Sequence, residues 1–258
     1  MKYLLATNAY SNPDLLEKCI TSWPKEIKDL DTAIYFDGFY YQKIFKDLFD
    51  RKVLDNNIKY ILDSTVPTHL GCSGGWNALI RYCFDILNYD YVIVVGSDTC
   101  LKPGFVESFI RDLETIKPDF AVGQDTMFNC WAMNRNCYEK IGLWDENFFP
   151  AYFEDGDYHC RIKLSDILMK NVGDAGLFEH FGSATIKTNN ERNNTNHLTF
   201  VKNEAYFKKK WLISGNWDAD YKTPFNNPSM KINEWYPDEP EWSIKRKIWK
   251  DLEDRLNR

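Results

Sequence analysis

The hydrophobic and polar positions of this chain switch repeatedly between two periods. Short unbroken apolar runs alternate with longer stretches in which apolar residues recur every three or four positions. The clearest run, Tyr91 to Val95, is bounded by Gly96 and reads as a central strand buried on both faces. Lys2 to Thr7 reads as a first strand, with Asn8 to Asn12 as the polar loop at its carboxyl end. Pro13 suits the first turn of a helix capped by Ser11 or Asn12, with Leu15, Leu16, Cys19 and Ile20 as its buried stripe. Thr32 to Phe36 gives a second strand ending at Asp37-Gly38, and a third begins near Ile58. Ile44, Phe45, Leu48 and Phe49 mark the inner face of a helix between them. Strands separated by helices of this length predict a parallel α/β sheet with right-handed crossovers.

Further along, Gly71, Gly74 and Gly75 precede a helical pattern over Trp76 to Leu87. They serve either as ordinary loop turns or as a phosphate cradle at a helix start, although no Gly-Lys-Ser/Thr follows. Phe105 to Leu113 is amphipathic, and Phe120 to Val122, Cys130 to Met133 and Lys170 to Val172 read as strands of mixed direction. Thr188 to His197 is almost wholly polar and reads as a mobile loop, before a helix over Asn203 to Trp211. Tyr221 to Asn227 is a turn-rich loop. Trp235, Trp242 and Trp249 stand seven apart in an amphipathic tail that either packs back on the domain or makes an oligomer or weak membrane-surface contact.

Composition narrows the class. With 258 residues, 44% hydrophobic and 16% aromatic, the chain can bury a full core. A formal net charge of -6 argues against nucleic acid as a partner. The 7 cysteines form no CxxC pair, which fits reduced thiols and a cytoplasmic setting, and no apolar run is long enough for a transmembrane segment. The Asn193-Asn194-Thr195 sequon would matter only outside that setting.

Three polar clusters carry candidate chemistry. Asp98 follows the central strand, so it either caps the Lys102-Pro103-Gly104 helix start or holds something positive at the carboxyl edge of the sheet. Glu154, Asp155 and Asp157 follow an aromatic run and open a helical pattern. They suit the helix dipole, with Asp157 to Arg161 as an i,i+4 pair, and they equally suit a sugar site, where aromatic faces cover the ring and a carboxylate takes a hydroxyl proton. His180, in a polar loop before Gly182-Ser183, is either exposed or a ligand, and with Asp98 it can hold Mg²⁺ or Mn²⁺. Lys208, Lys209 and Lys210 read as solvated side chains, with phosphate contact as the alternative.

In order, these motifs resemble the family-2-like, GT-A-fold glycosyltransferases, especially rhamnosyltransferase-like enzymes of bacterial, phage or large-virus type, over roughly Lys2 to Thr185. Ala6-Thr7-Asn8 matches the turn that meets the nucleoside, and Asp37 the acid that faces the base or ribose. Gly71 to Asn77, with Gly75 and Asn77, matches the glycine-rich stretch bordering the donor. The usual DXD is reduced to Ser97-Asp98-Thr99, which leaves Asp98 as its one metal candidate. The Trp144-Asp145-Glu146-Asn147-Phe148-Phe149 segment and Glu154-Asp155-Gly156-Asp157 match the acceptor-side motifs.

The resemblance implies a single Rossmann-like α/β catalytic domain over 1–187, with a mostly parallel mixed sheet, and a helical or loop extension over 188–258 packed on it. It implies an inverting transfer from a UDP-, GDP- or dTDP-sugar to a hydroxyl of an oligosaccharide or other glycan, with Asp155 as base beside Glu154 and Asp157. Asp98 and His180 would hold Mn²⁺ or Mg²⁺ at the leaving diphosphate, while Trp144 and Tyr152 would shape the sugar and acceptor pocket. Competing readings are a non-catalytic nucleotide-sugar or glycan-binding module and a sugar-nucleotide nucleotidyltransferase. The latter should carry a glycine-rich basic motif after strand one, where Ala9 to Asp14 has none.

Overall fold

The computed structural model describes residues 1–38, 40–63, 69–124, 128–187, 189–213, 223–233 and 240–257. The chain opens with β1 (Tyr3–Ala9), α1 (Pro13–Thr21) and β2 (Leu30–Phe36). Three short helices, α2 (Tyr41–Ile44), α3 (Lys46–Asp50) and α4 (Val53–Asn57), lead to β3 (Tyr60–Asp63). Next come α5 (Gly71–Arg81), β4 (Tyr91–Val95), β5 (Thr99–Leu101), α6 (Phe105–Ile116), β6 (Phe120–Gly123) and β7 (Cys130–Asn134). They are followed by α7 (Arg135–Ile141), α8 (Glu154–Lys163), β8 (Met169–Val172) and β9 (Phe178–His180). The helices α9 (Ala184–Lys187), α10 (Asn190–Trp211) and α11 (Pro240–Leu256) complete the described elements.

Seven strands form one sheet in the order β3-β2-β1-β4-β7-β6-β8, while β5 and β9 pair separately. β1 runs parallel to both β2 and β4, β3 parallel to β2 and β8 parallel to β6; β7 alone is antiparallel to its neighbours β4 and β6. The result is one α/β domain with a mixed, mostly parallel sheet, flanking helices and a helical C-terminal extension. Strand alternation divides the core between the two faces of the sheet. Tyr3, Leu5, Ile34, Phe36, Ile93 and Val95 pack on the side of α1 and α6. Leu4, Ala6, Tyr35, Val92 and Val94 face α5, α7 and α8. All five residues of β4 are buried, as a strand covered on both faces requires.

Four local expectations are corrected. The segment between β2 and β3 is three short helices, in which Phe45 and Leu48 are buried while Ile44 and Phe49 are only partly so. The glycines 71, 74 and 75 lie inside α5 instead of ahead of it. His180 ends the short strand β9, paired with Thr99 of β5. The polar stretch from Asn190 to His197 begins the 22-residue α10, whose start is capped by the Asn189 side chain accepting from the Arg192 amide at 3.0 Å.

Helix α10 is stable despite its polar sequence because its polar side chains are used inward. Asn203 donates to the Ala151 carbonyl at 2.9 Å, and Lys245 of α11 donates to Asn203 Oδ1 and to the Asn147 carbonyl, both at 2.8 Å. Tyr206, Phe207 and Trp211 join Phe148 and Phe153 in an apolar cluster. Lys210, expected in solvent, is 1% exposed. Its Nζ lies 2.7 Å from both Asp145 Oδ2 and Asp157 Oδ1. Asp157 also pairs with Arg161 at 3.0 Å and accepts from Trp211 Nε1 at 3.0 Å, and Tyr206 donates to Asp145 at 2.9 Å. Burial pushes the Asp145 carboxyl up, but attraction and hydrogen bonding from Lys210 outweigh it and leave the group below its ordinary 3.8.

Replacing Lys210 with Met should therefore leave the buried Asp145 without its ion-pair partner, while Asp157 keeps Arg161, and cost about 3–5 kcal/mol of stability at neutral pH. Urea denaturation measures this. Because the Asp145 value is depressed, its contribution is complete above its unfolded value near 3.8 and is lost as pH falls through the lower folded value. The gap between wild type and Lys210→Met should accordingly narrow only in acid.

Candidate functional site

The sheet order reverses direction between β1 and β4, and in such sheets the crevice beyond the carboxyl ends of the strands receives ligands. Four pieces of chain converge there: the ends of β1 and β2, the start of α5, the turn after β4, and the segment leading into α8. Asp37 organises the first two. Its carboxylate is 2% exposed and accepts from the Leu70 amide at 2.6 Å and the Gly71 amide at 2.9 Å, while His69 Nδ1 lies 2.7 Å away. Helix α5 has no cap from its own neighbouring side chain, and Asp37 supplies one from 33 residues away.

Two glycines let this helix sit where it does. At Gly71, with φ +77, an added Cβ would lie 2.6 Å from the Pro150 carbonyl oxygen, and the adjacent Cys72 amide donates to that same oxygen at 2.7 Å. At Gly75, a Cβ would overlap the side-chain amide of Asn8, which in turn donates to the Gly71 carbonyl at 3.3 Å. The glycines thus permit close packing of α5 against β1 and against the loop before α8.

Beyond β4, Ser97 is half-buried and Asp98 is buried. Asp98 does not cap α6, whose N-cap is Gly104. Its Oδ2 accepts from the Ala184 amide at 3.1 Å and lies 3.3 Å from His180 Nε2. The β5–β9 pairing brings these two residues together from positions far apart in the chain. A carboxylate oxygen beside an imidazole nitrogen is a fitting donor pair for Mn²⁺ or Mg²⁺. No group of three or more metal-binding side chains occurs among the described residues, so a bound ligand would have to complete the shell.

At the start of α8, Glu154 is buried and its Oε2 has no hydrogen-bond partner. Burial, then the neighbouring Asp155 charge, push its carboxyl well above the ordinary value. Asp155 is half-buried. Burial raises it too, and the Gly156 amide at 2.8 Å partly offsets that rise. Tyr152 and Phe153, immediately before, both have positive φ, 79 and 73, an uncommon conformation for aromatic residues.

Of the remaining expected site residues, Asp157, Trp144, Thr7 and Asn77 are engaged by the protein itself. Asp157 is fully buried in the ion pairs with Lys210 and Arg161, so it has no surface to offer a substrate. Trp144 is also fully buried, stacked on Tyr158 at 4.2 Å, and does not shape a sugar pocket. Thr7 donates inward to the Val95 carbonyl at 2.8 Å, joining β1 to β4. Asn77 exchanges hydrogen bonds with the Trp144 backbone at 2.8 and 2.9 Å. Tyr152 is half-buried against Phe200.

Residues absent from the sequence expectations complete the crevice. The half-buried Cys72 has its thiol pushed well above the ordinary value, first by burial and then by the charges of Glu154, Asp37, Asp98 and Asp155. Cys72 thus lies within electrostatic reach of all four carboxylates. His69 stacks on Tyr10 with ring centres 4.1 Å apart, and Trp249 of α11 meets His69 edge-on at 5.5 Å. Trp249, 1% exposed, confirms that this part of the tail packs back; Trp235 and the Trp242 side chain lie outside the described residues. No helix among the described residues is long and apolar enough to cross a membrane.

No family model matches the chain. A galactofuranosyl glycosyltransferase of Leishmania donovani is 31% identical over 108 residues, covering 42% of this chain; the match spans only 23% of that protein's length. Among solved structures, S. aureus TarS 1–349 superposes with a TM-score of 0.53 at 10% identity, covering 81% of this chain and 73% of that one. The mannosyltransferase PcManGT from Pyrobaculum calidifontis, in complex with GDP-Man and Mn²⁺, gives 0.52 at 10% identity, covering 79% and 64%. The chain therefore has a glycosyltransferase-like fold.

The packing at Gly75 is open to a direct test. Gly75→Ala should destabilise the protein by about 1–3 kcal/mol through overpacking against Asn8. In an Asn8→Ala background the same change should cost far less, and thermal unfolding of the four proteins in that cycle reads the coupling.

Proposed function

We propose that the chain is an inverting glycosyltransferase of the GT-A type, moving a sugar from a nucleoside-diphosphate donor to a hydroxyl of a glycan acceptor. The observation that carries this reading is the gathering of Asp37, Asp98, Glu154 and Asp155 around Cys72 at the switch point of the sheet. Residues 1–187 supply the chemistry, and 188–258 pack on them as an extension. Asp37 borders the nucleoside. Asp98 and His180 are the residues that would hold Mn²⁺ or Mg²⁺, whose role would be to neutralise charge on the departing diphosphate.

Asp155 acts as the base. It heads α8 at the crevice, half-buried, and takes the acceptor hydroxyl proton as that oxygen attacks the anomeric carbon and the bond to the diphosphate breaks. Burial pushes the Glu154 carboxyl well above its ordinary value, so Asp155, the more exposed of the two, is the better placed to take the proton. Attack from the face opposite the leaving group inverts the configuration. Because its carboxyl is raised above 3.8, Asp155 becomes competent only above that shifted value.

Asp155→Asn should lower kcat by about 10²- to 10⁴-fold while donor affinity, measured calorimetrically, stays within a few-fold. Full activity in that variant would refute the base assignment. In the wild type the rate should rise with pH along an acid limb displaced above the ordinary carboxylate range, and kcat/KM measured across pH locates it. His180→Ala should weaken Mn²⁺ binding, read by titration of the metal with a nucleoside diphosphate present. Release of nucleoside diphosphate from a donor panel distinguishes transfer from mere binding and from pyrophosphate-forming chemistry.

A further inference from the structure

The nucleoside half of the crevice is occupied by the protein itself. Helix α11 lies across Tyr10, Asp37, His69 and Phe149, placing Arg246, Trp249 and Glu253 over them. The space left beneath it is about 20 Å³, enough for a single water, whereas pockets that hold small organic ligands run to about 300–1,000 Å³. With α11 seated, no nucleoside fits beside Asp37.

The way α11 is held suits an element that can be released. Its apolar contact is small: Trp249 and Leu252 against Phe149, with Tyr10 and Leu256 at the margin. Polar links do the rest. Glu253 accepts from Tyr10 Oη and, at 3.0 and 3.2 Å, from both arms of Arg192. Asp254 accepts from Tyr40 Oη at 2.9 Å, and Arg246 donates to Glu146 at 3.2 Å. The seated state also leaves two buried donors or acceptors unsatisfied, His69 Nε2 and Trp249 Nε1.

We propose that α11 is an autoinhibitory strap that covers the nucleoside subsite and must be displaced for the donor to bind. The inference rests on the glycosyltransferase reading above for the identity of the ligand. When the competent, open state is a minor one, the apparent dissociation constant is the intrinsic value divided by the open fraction. Loosening the Glu253 latch should then tighten nucleotide binding. A residue that touched the bound nucleoside would weaken it instead.

The test uses the full chain and three probes, UDP, GDP and dTDP, each with Mn²⁺. Glu253→Ala should bind the preferred nucleotide at least about tenfold more tightly than wild type, since losing even one of its charge-assisted hydrogen bonds to Arg192 destabilises the closed state by that factor. In the wild type, saturation with that nucleotide should speed hydrogen exchange at the amides of residues 243–256. This second measurement decides the matter should the variant fail to fold. Unchanged or weaker affinity in a folded Glu253→Ala, or slower exchange at 243–256, overturns the strap while leaving the transferase reading intact. Absence of nucleotide binding in both proteins overturns both.

Discussion

The arrangement of the crevice depends on how closely α5 approaches its neighbours. Its first turn is wedged between β1, the end of β2 and the loop before α8, and each contact uses a different chemical group. Asp37 accepts its first amides, Asn8 fits against Gly75, and the Pro150 carbonyl receives the Cys72 amide across the space that a side chain at Gly71 would fill. Movement of this helix would pull on the nucleoside side and the acceptor side together. A carboxylate buried at 2% exposure is tolerable only because two amides and an imidazole satisfy it, so the residue that borders the proposed donor also fixes the frame around it.

The acids of α8 show how one helix divides structural and chemical work. Residues two apart on a helix point about 200° away from each other. Asp157 faces inward to Lys210 and Arg161, which directs Asp155 to the opposite side, into the crevice. Glu154 lies between them in direction and is buried without a cation, and this is the physical reason its carboxyl is pushed up. The three carboxyl groups of this first turn thus meet three different surroundings because the helix turns them in three directions.

The periodicity made much of this readable in advance. Tyr91 to Val95 has no other good reading than a strand covered on both faces, and Asp37 and Asp98 follow strands in which a polar residue can only be at an end. The failures have a common cause in polar residues that are buried against partners remote in sequence. Lys210 looks like one of three solvated lysines until Asp145 and Asp157 are placed beside it. Buried polar residues such as Asn196 make Thr188 to His197 read as a loop because no apolar stripe marks the first half of α10, whereas Asn203 to Trp211 reads as a helix. Asp157 and Trp144 followed the motif correctly in sequence, yet only the direction of each side chain could show that they support the crevice from behind. His69 and Tyr10 gave no signal, since stacking across 59 positions leaves no local pattern; the α11 partner Trp249 gave only the spacing of its tail.

The C-terminal extension also determines the geometry of the acids. Tyr152 and Phe153 hold left-handed backbone conformations directly before Glu154, at a cost on the order of 1–3 kcal/mol each. Such a turn persists only if its surroundings fix it. Asn203 of α10 donates to the Ala151 carbonyl at 2.9 Å, Phe200 packs on the rings of both residues, and Lys245 of α11 joins Asn203 to the Asn147 carbonyl. Helices α10 and α11, of which the sequence showed only a second half and an amphipathic tail, are therefore the supports that hold α8 at its angle. The same α11 reaches Tyr10 and Asp37, so a shift of this helix is felt through Lys245 and Asn203 at the turn before Glu154.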